Sequence, residues 1–537
     1  MQNRQFGIHR SHRWAVAARA FAVGTLMAMA TRPSMAVVPT APTVIANHET
    51  LRGIYEPGTT VASFRGIPYA APPVGERRWA APAPATPRRG AQRADSFASA
   101  CYQDSGNNDW YRKVATPFGA DPATFVDPPF SEDCLYLNVW TPKFDRRARL
   151  PVMVWIHGGA NKNGWSYEPN YRGATLASYG GVVVVSLAYR VNIFGFFGHP
   201  ELSGSAAPTN FGLLDQIAAL RWVRDEIAAF GGDPDNVTVF GESAGGADIG
   251  YLMISPLARG LFRRAISQSG GYLMADTRRL SDAEREGRDL SSAFPDHPDL
   301  AGLRARPAAE IYAKARAMPW SADYGPVVDG ISLTDTPAAS IREHGVPVDL
   351  LVGSNENEDF MYVDEDDGAL LKEVEEIPAG ARAPLTASAT GLDTRRARDR
   401  IWTLINMRCP TYLMAESANV AGHRSWVYRF SRKRPAPGGD DLLVYHGSEI
   451  PYVFATHDAW LPTDASDRIL TRAMLTYWTT FARTGDPNAR GFSEWPRFDA
   501  RLPQVMDLGD AIRQIDAPDH ALCARVAPAL YPGWTNH

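Results

Sequence analysis

Asn236-Val-Thr-Val-Phe-Gly-Glu-Ser-Ala-Gly-Gly246 is the stretch whose reading decides the fold. Asn236 to Phe240 is rich in β-branched and aromatic residues and reads as a buried strand. Ala244 to Ile254 reads as a helix. Gly241-Glu-Ser-Ala-Gly245 joins them as a G-x-S-x-G, the strand–turn–helix setting of a nucleophile elbow. A serine hydroxyl is a weak nucleophile. It works only where a base can take its proton and backbone N–H groups can face the oxyanion that forms. Flanking glycines let the chain turn that sharply.

The elbow sits in a chain of 537 residues, 45% hydrophobic and 21% charged, with 45 Gly and 41 Pro. That is globular composition with ample material for a large core. The formal charge is −4 and the pI about 6.3, so no basic field points to nucleic acid. Arg4, Arg10 and Arg13 precede a mostly apolar run from Ala15 to Ala30, interrupted by Arg19 and followed by Ser34-Met-Ala36. Residues 1–36 therefore read as an export signal, and 37–537 as a single domain. No later stretch has the roughly 18–20 apolar residues of a membrane span, so the mature chain is expected to be soluble and secreted or periplasmic. Four cysteines fit export and allow three pairings.

Further strands are expected at Leu135–Trp140, Val152–Ile156, Val182–Tyr189, Arg264–Ser267, Val348–Val352 and Trp426–Phe430. Asn210 to Phe230 has apolar residues at helical spacing. This alternation predicts an α/β fold with a doubly wound, mostly parallel sheet. Gly53 to Tyr69 reads as a small antiparallel sheet. Cys101 to Cys134 reads as a polar loop, and Ile469 to Arg483 as a surface helix. Residues 275–345 and 365–425 read as helical insertions forming a cap. Thr394-Arg-Arg-Ala-Arg-Asp-Arg400 reads as a solvated helix face.

An ordered series of motifs resembles the carboxylesterase type B family, the α/β-hydrolases that include carboxylesterases and cholinesterases. The series comprises Phe64-Arg-Gly-Ile-Pro-Tyr69, Ser131-Glu-Asp-Cys-Leu-Tyr-Leu-Asn138, Trp155-Ile-His-Gly-Gly159, Tyr189-Arg190, Gly195-Phe196 and Asn210-Phe-Gly-Leu-Leu-Asp215. It continues through Phe230-Gly-Gly-Asp-Pro234, the elbow, Ile266-Ser-Gln-Ser-Gly270 and Gly325-Pro-Val-Val-Asp-Gly330. The resemblance runs from about residue 50 to the C-terminus. It implies an eight-stranded hydrolase core and ester hydrolysis through an acyl-enzyme.

By this resemblance the nucleophile falls on Ser243. The base falls on His446, in Tyr445-His-Gly-Ser-Glu-Ile-Pro-Tyr-Val-Phe454, among late histidines that include His423, His457 and His520. The acid falls on Glu358, counted from Gly353. The family usually has Gly after the acid where this chain has Asp359, so Glu356 and Asp359 stay open as partners. The oxyanion hole is Ala244 with Gly159 and Ala160, the last a residue where the family often has Gly. Glu242 resembles a family site acid. The implied disulfides are Cys101–Cys134 and Cys409–Cys523. Trp110, the one tryptophan between Cys101 and Cys134, does not sit where the family's choline-binding tryptophan would. No metal or organic cofactor is expected, and the partner is a small-molecule ester. The same triad also serves amides, carbamates and lactones, and the fold also hosts non-catalytic binding proteins.

Overall fold

Val152-Met-Val-Trp-Ile156 holds no polar side chain, as a strand covered on both faces requires. In the computed structural model, which describes residues 41–275, 278–435, 438–531 and 534, it lies near the middle of an eleven-stranded sheet. The segment 1–36 read as an export signal lies outside these residues. Residues from 41 onward form one compact unit.

The sheet runs Ile512–Asp516, Gln504–Leu508, Ser425–Phe430, Asp349–Asn355, Arg264–Gln268, Gly232–Glu242, Leu150–Ile156, Val183–Leu187, Tyr136–Thr141, Ala62–Pro68, Ile54–Tyr55. From Gln504–Leu508 through Val183–Leu187 every neighbouring pair is parallel, and the pairs at both ends are antiparallel. Side chains alternate across the sheet. Val152, Val154 and Ile156 pack on one face with Leu213, Ile217 and Leu220 of the helix Phe211–Glu226. Met153 and Trp155 pack on the other with Met474, Trp478 and Phe481 of the helix Ala465–Thr484.

The structure corrects several expectations. The sheet has eleven strands instead of eight, because short strands such as Ile54–Tyr55 extend its edges. Ala62–Pro68 belongs to this main sheet, and the small sheet at the domain's start is Thr43–Ala46, Glu49–Arg52 and Ala91–Arg93. The helix Ala465–Thr484 is no surface helix. Its aromatic face (Tyr477, Trp478, Phe481) is buried because it packs on the sheet face that carries Met153 and Trp155. In the Arg-rich run, Arg398 is buried and paired with Glu373 and Asp364, so that face is only partly solvated. The Cys101–Cys134 segment contains a helix, Gly106–Ala115. Its opening Gly-Asn-Asn-Asp is a poor helix former. Packing of Tyr111 and Val114 against Phe125, Leu442 and Trp460 supplies the stability instead. Bonds join Cys101 to Cys134 and Cys409 to Cys523, as the resemblance implies.

The elbow glycines follow from crowding. A Cβ on Gly241 would sit 2.6 Å from the Ile156 carbonyl oxygen, and one on Gly245 only 2.1 Å from it. The turn is pressed against the neighbouring strand, and only hydrogen fits. Gly245→Ala adds a good helix former yet should destabilise the fold by about 1–3 kcal/mol through overpacking. A thermal melt measures this; an unchanged melting temperature would mean the turn has slack.

Candidate active site

Ser243 stands between the strand Gly232–Glu242 and the helix Ala244–Ile254 with φ 56° and ψ −126°. For a residue with a Cβ this is strained backbone, costing on the order of 1–3 kcal/mol. Its own N–H donates to the Gln268 carbonyl at 2.9 Å, tying the turn to the next strand. The side chain is lifted off the sheet edge into a cavity of about 600 Å³.

His446 comes from the loop after Ser425–Phe430, and Glu358 from the loop after Asp349–Asn355. His446 Nε2 lies 2.7 Å from Ser243 Oγ, and Nδ1 lies 2.6 Å from Glu358 Oε2. The other Glu358 oxygen accepts from Ser269 Oγ and from the Asn355 N–H, both at 2.6 Å. Of the two rival acids, Glu356 pairs outward with Arg429 at 3.6 Å. Asp359 lines the cavity, and burial with Glu358 beside it pushes its carboxyl up to about 7. Elsewhere, His457 is held by Thr471 and Thr463, and His520 by Glu416.

The histidine loop is fixed from below by Glu449, which is fully buried. Its carboxylate accepts from Gln268 at 2.9 Å and Asn355 at 2.7 Å, while Asn355 also donates to the Tyr445 carbonyl at 2.9 Å. Glu358 is held in turn: its N–H donates to Thr403 Oγ1 at 3.1 Å, and Asp399 accepts from Thr403 and from the Asp359 N–H. Glu449 and Gln268 lie within the quoted motifs, but Thr403 and Asp399 lie in none, so the sequence offered no signal for those two.

Gly159 and Ala160 line the same cavity as Ala244, the first residue of the Ala244–Ile254 helix, and have φ +101° and +55°. Among the described residues their N–H groups donate to no other group. His157 behind them is fully buried, which lowers its pKa to about 4, and it stacks on Tyr189 at 4.4 Å between ring centres. It is therefore neutral, free to donate Nδ1–H to the Gly158 carbonyl at 2.9 Å. The rest of the wall is aromatic and amide-bearing: Trp110, Tyr111, Tyr272, Tyr324, Tyr362 and Asn107 among others. Trp110 thus belongs to the cavity wall, its Nε1 donating to Tyr362 Oη at 3.1 Å. The sequence missed this wall because its members come from segments that meet only in the fold.

Electrostatically the site sets one buried imidazole among several buried carboxyl groups. Burial holds Glu358 back, but the imidazole and the hydrogen bonds from Ser269 and Asn355 outweigh it and lower the carboxyl below its usual 4.5. Burial alone would lower His446, and Glu242 and Glu358 together raise it above 6.5. Glu242 Oε1 lies 3.3 Å from His446 Nε2, yet burial pushes Glu242 itself up to about 8. Glu242 then keeps its proton at neutral pH and withdraws much of that charge. Glu358 remains the steady source of the upward shift. A raised histidine pKa adds stability that is complete below 6.5 and is lost as pH climbs through the folded value. Titration of the histidine ring protons by NMR, assigned with His446→Gln, should put the His446 midpoint above 6.5. Glu358→Gln should bring it down by roughly one unit or more. A midpoint unmoved by that change would show that Glu358 does not set the imidazole's charge.

Among the described residues no cluster of His, Cys, Asp and Glu could hold a metal ion, and no helix is long and apolar enough to cross a membrane. The carboxylesterase family model matches residues 40–523. The chain is 34% identical over 481 residues to a fumonisin B1 esterase of Sphingopyxis macrogoltabida, covering 84% of each. It is 31% identical over 493 residues to carboxylesterase 1C of Mus musculus, covering 85% of this chain and 86% of the mouse protein. Among solved structures it resembles a PNB esterase with TM-score 0.77 at 30% identity, over 91% of this chain and 100% of the other. A Geobacillus stearothermophilus carboxylesterase gives TM-score 0.76 at 32% identity, over 90% and 99%. With this α/β-hydrolase fold across nearly its whole length, the chain belongs to the carboxylesterase family and is a carboxylic ester hydrolase.

Proposed function

We propose that the protein is an exported serine esterase in which Ser243, His446 and Glu358 form the catalytic triad. The observation that carries this is the unbroken contact from Ser243 Oγ through both imidazole nitrogens to Glu358, 2.7 Å and 2.6 Å. His446 takes the Ser243 proton as Oγ attacks the ester carbonyl carbon. The tetrahedral oxyanion points at the N–H groups of Gly159, Ala160 and Ala244. Collapse breaks the bond to the alcohol oxygen, which leaves with the proton from His446. Water then attacks the acyl-enzyme by the same route, releasing the acid and restoring Ser243–OH. Glu358 keeps its negative charge throughout, orienting the ring and stabilising the imidazolium.

Three features support details of this reading. Ser243, His446, Gly159, Ala160 and Ala244 all line one cavity of about 600 Å³, so an ester bound there meets the nucleophile and the oxyanion donors together. The methyl of Ala160 narrows the oxyanion loop relative to a glycine. The disulfides Cys101–Cys134 and Cys409–Cys523 suit an oxidising compartment, which is the basis for export.

Turnover of p-nitrophenyl acetate, butyrate and octanoate by the purified chain tests the proposal. Ser243→Ala should lower kcat by at least about 10⁴-fold, and Glu358→Gln by roughly 10³-fold or more. Activity surviving in a folded Ser243→Ala protein would refute the assignment. Because His446 must be neutral to act as base, kcat/KM should rise with pH through a limb above 6.5.

A further inference from the structure

The loop that carries Gly159 and Ala160 is strained: Gly159, Ala160 and Asn161 have φ values of +101°, +55° and +55° in succession. Two of these residues carry a Cβ and are held where L-residues are disfavoured. Something must hold them, and the described contacts identify it. Asn161 Nδ2 donates to Asp248 Oδ1 at 3.1 Å, and its backbone carbonyl accepts from the Asn192 N–H at 2.6 Å. The other Asp248 oxygen accepts from Gln216 Nε2 at 2.6 Å. Asp248 and Gln216 have no exposed surface, and Asn161 is 4% exposed.

The placement of Asp248 gives this pair a consequence. It lies five residues after Ser243 on the helix Ala244–Ile254, the helix whose first N–H belongs to Ala244. Gln216 comes from the neighbouring helix Phe211–Glu226. One carboxyl group therefore ties the nucleophile's helix to Asn161, the residue next to Ala160. We infer that Asp248 is a positioning residue that fixes the oxyanion loop through Asn161; the inference rests on the oxyanion role proposed above.

Such a tie acts on the transition state and not on substrate binding. The N–H groups bond strongly only once negative charge has developed on the carbonyl oxygen. Losing the tie should lower kcat and leave KM nearly unchanged. The role is one of hydrogen bonding, so an amide should largely replace the carboxylate. In Asp248→Asn the retained oxygen still accepts from Asn161. Gln216 can turn over to offer its Oε1, which has no partner among the described residues.

The experiment measures kcat and KM for p-nitrophenyl butyrate at pH 8, with circular dichroism as the check on folding. The proteins are the wild type, Asp248→Ala, Asn161→Ala, the double variant and Asp248→Asn. Asp248→Ala and Asn161→Ala should each lower kcat roughly tenfold or more, against about 10²–10³ for outright loss of an oxyanion donor. KM should stay within about twofold, and the double variant should be no slower than the slower single. Asp248→Asn should recover most of the rate. A folded Asp248→Ala protein with kcat within twofold of wild type would overturn the inference. So would single losses that multiply in the double variant, or an Asp248→Asn protein as slow as Asp248→Ala. If Asp248→Ala does not fold, Asn161→Ala carries the test alone by its kcat-to-KM split. Ser243→Ala in the same series separates failure here from failure of the triad, since only the latter leaves activity without Ser243.

Discussion

The turn at Ser243 is the constraint on which the site depends. Its backbone is strained, and strain persists only where the surroundings over-determine it. Here they do so from three sides. The Ile156 carbonyl crowds Gly241 and Gly245, the Gln268 carbonyl accepts the Ser243 N–H, and the helix Ala244–Ile254 continues directly from the turn. The sheet is thus more than a scaffold that happens to carry a serine. Its central strands press the turn into the shape that lifts Oγ clear of the backbone.

Around that turn His446 and Glu358, the other members of the proposed triad, arrive on loops at the same edge of the sheet. Each loop leaves a parallel strand, which is why ligands in such folds gather beyond the strand ends. Loops alone would be loose, and the structure answers with buried polar braces. Glu449 joins the His446 loop to two strands, Thr403 and Asp399 hold the Glu358 loop, and Asp248 holds Asn161 beside the proposed oxyanion residues. Each brace is a carboxyl or hydroxyl group with amide partners, so the atoms that cost most to bury are the ones that set the geometry.

The carboxyl groups also make the site electrically asymmetric. Glu358 is pulled down in pKa, while Glu242, Asp359 and Asp248 are pushed up toward 7 or 8 by burial. Of these four, only Glu358, which faces the imidazole and also accepts from Ser269 and Asn355, is pulled below its usual value. Environment therefore pulls the proposed triad acid one way in pKa and its neighbours the other.

The sequence by itself determined the elbow, the strands around it and the family, though not the edge strands Gln504–Leu508 and Ile512–Asp516. Each is local: apolar runs, glycines at fixed offsets, and motifs that survive as contiguous text. It narrowed the acid to Glu356, Glu358 and Asp359 but could not separate them on residue type, since three carboxyls in four residues look alike. Tertiary structure distinguished them by direction: Glu358 turns inward to His446 and Glu356 outward to Arg429. The helix Gly106–Ala115, the burial of Ala465–Thr484 and the aromatic cavity wall were likewise decided only in three dimensions. Their residues are far apart in the chain, and long-range packing overrides weak local preference. Asp248 shows the same limit most sharply. In the sequence it is one acid in an apolar helix; in the fold it faces Asn161 across 87 residues of chain.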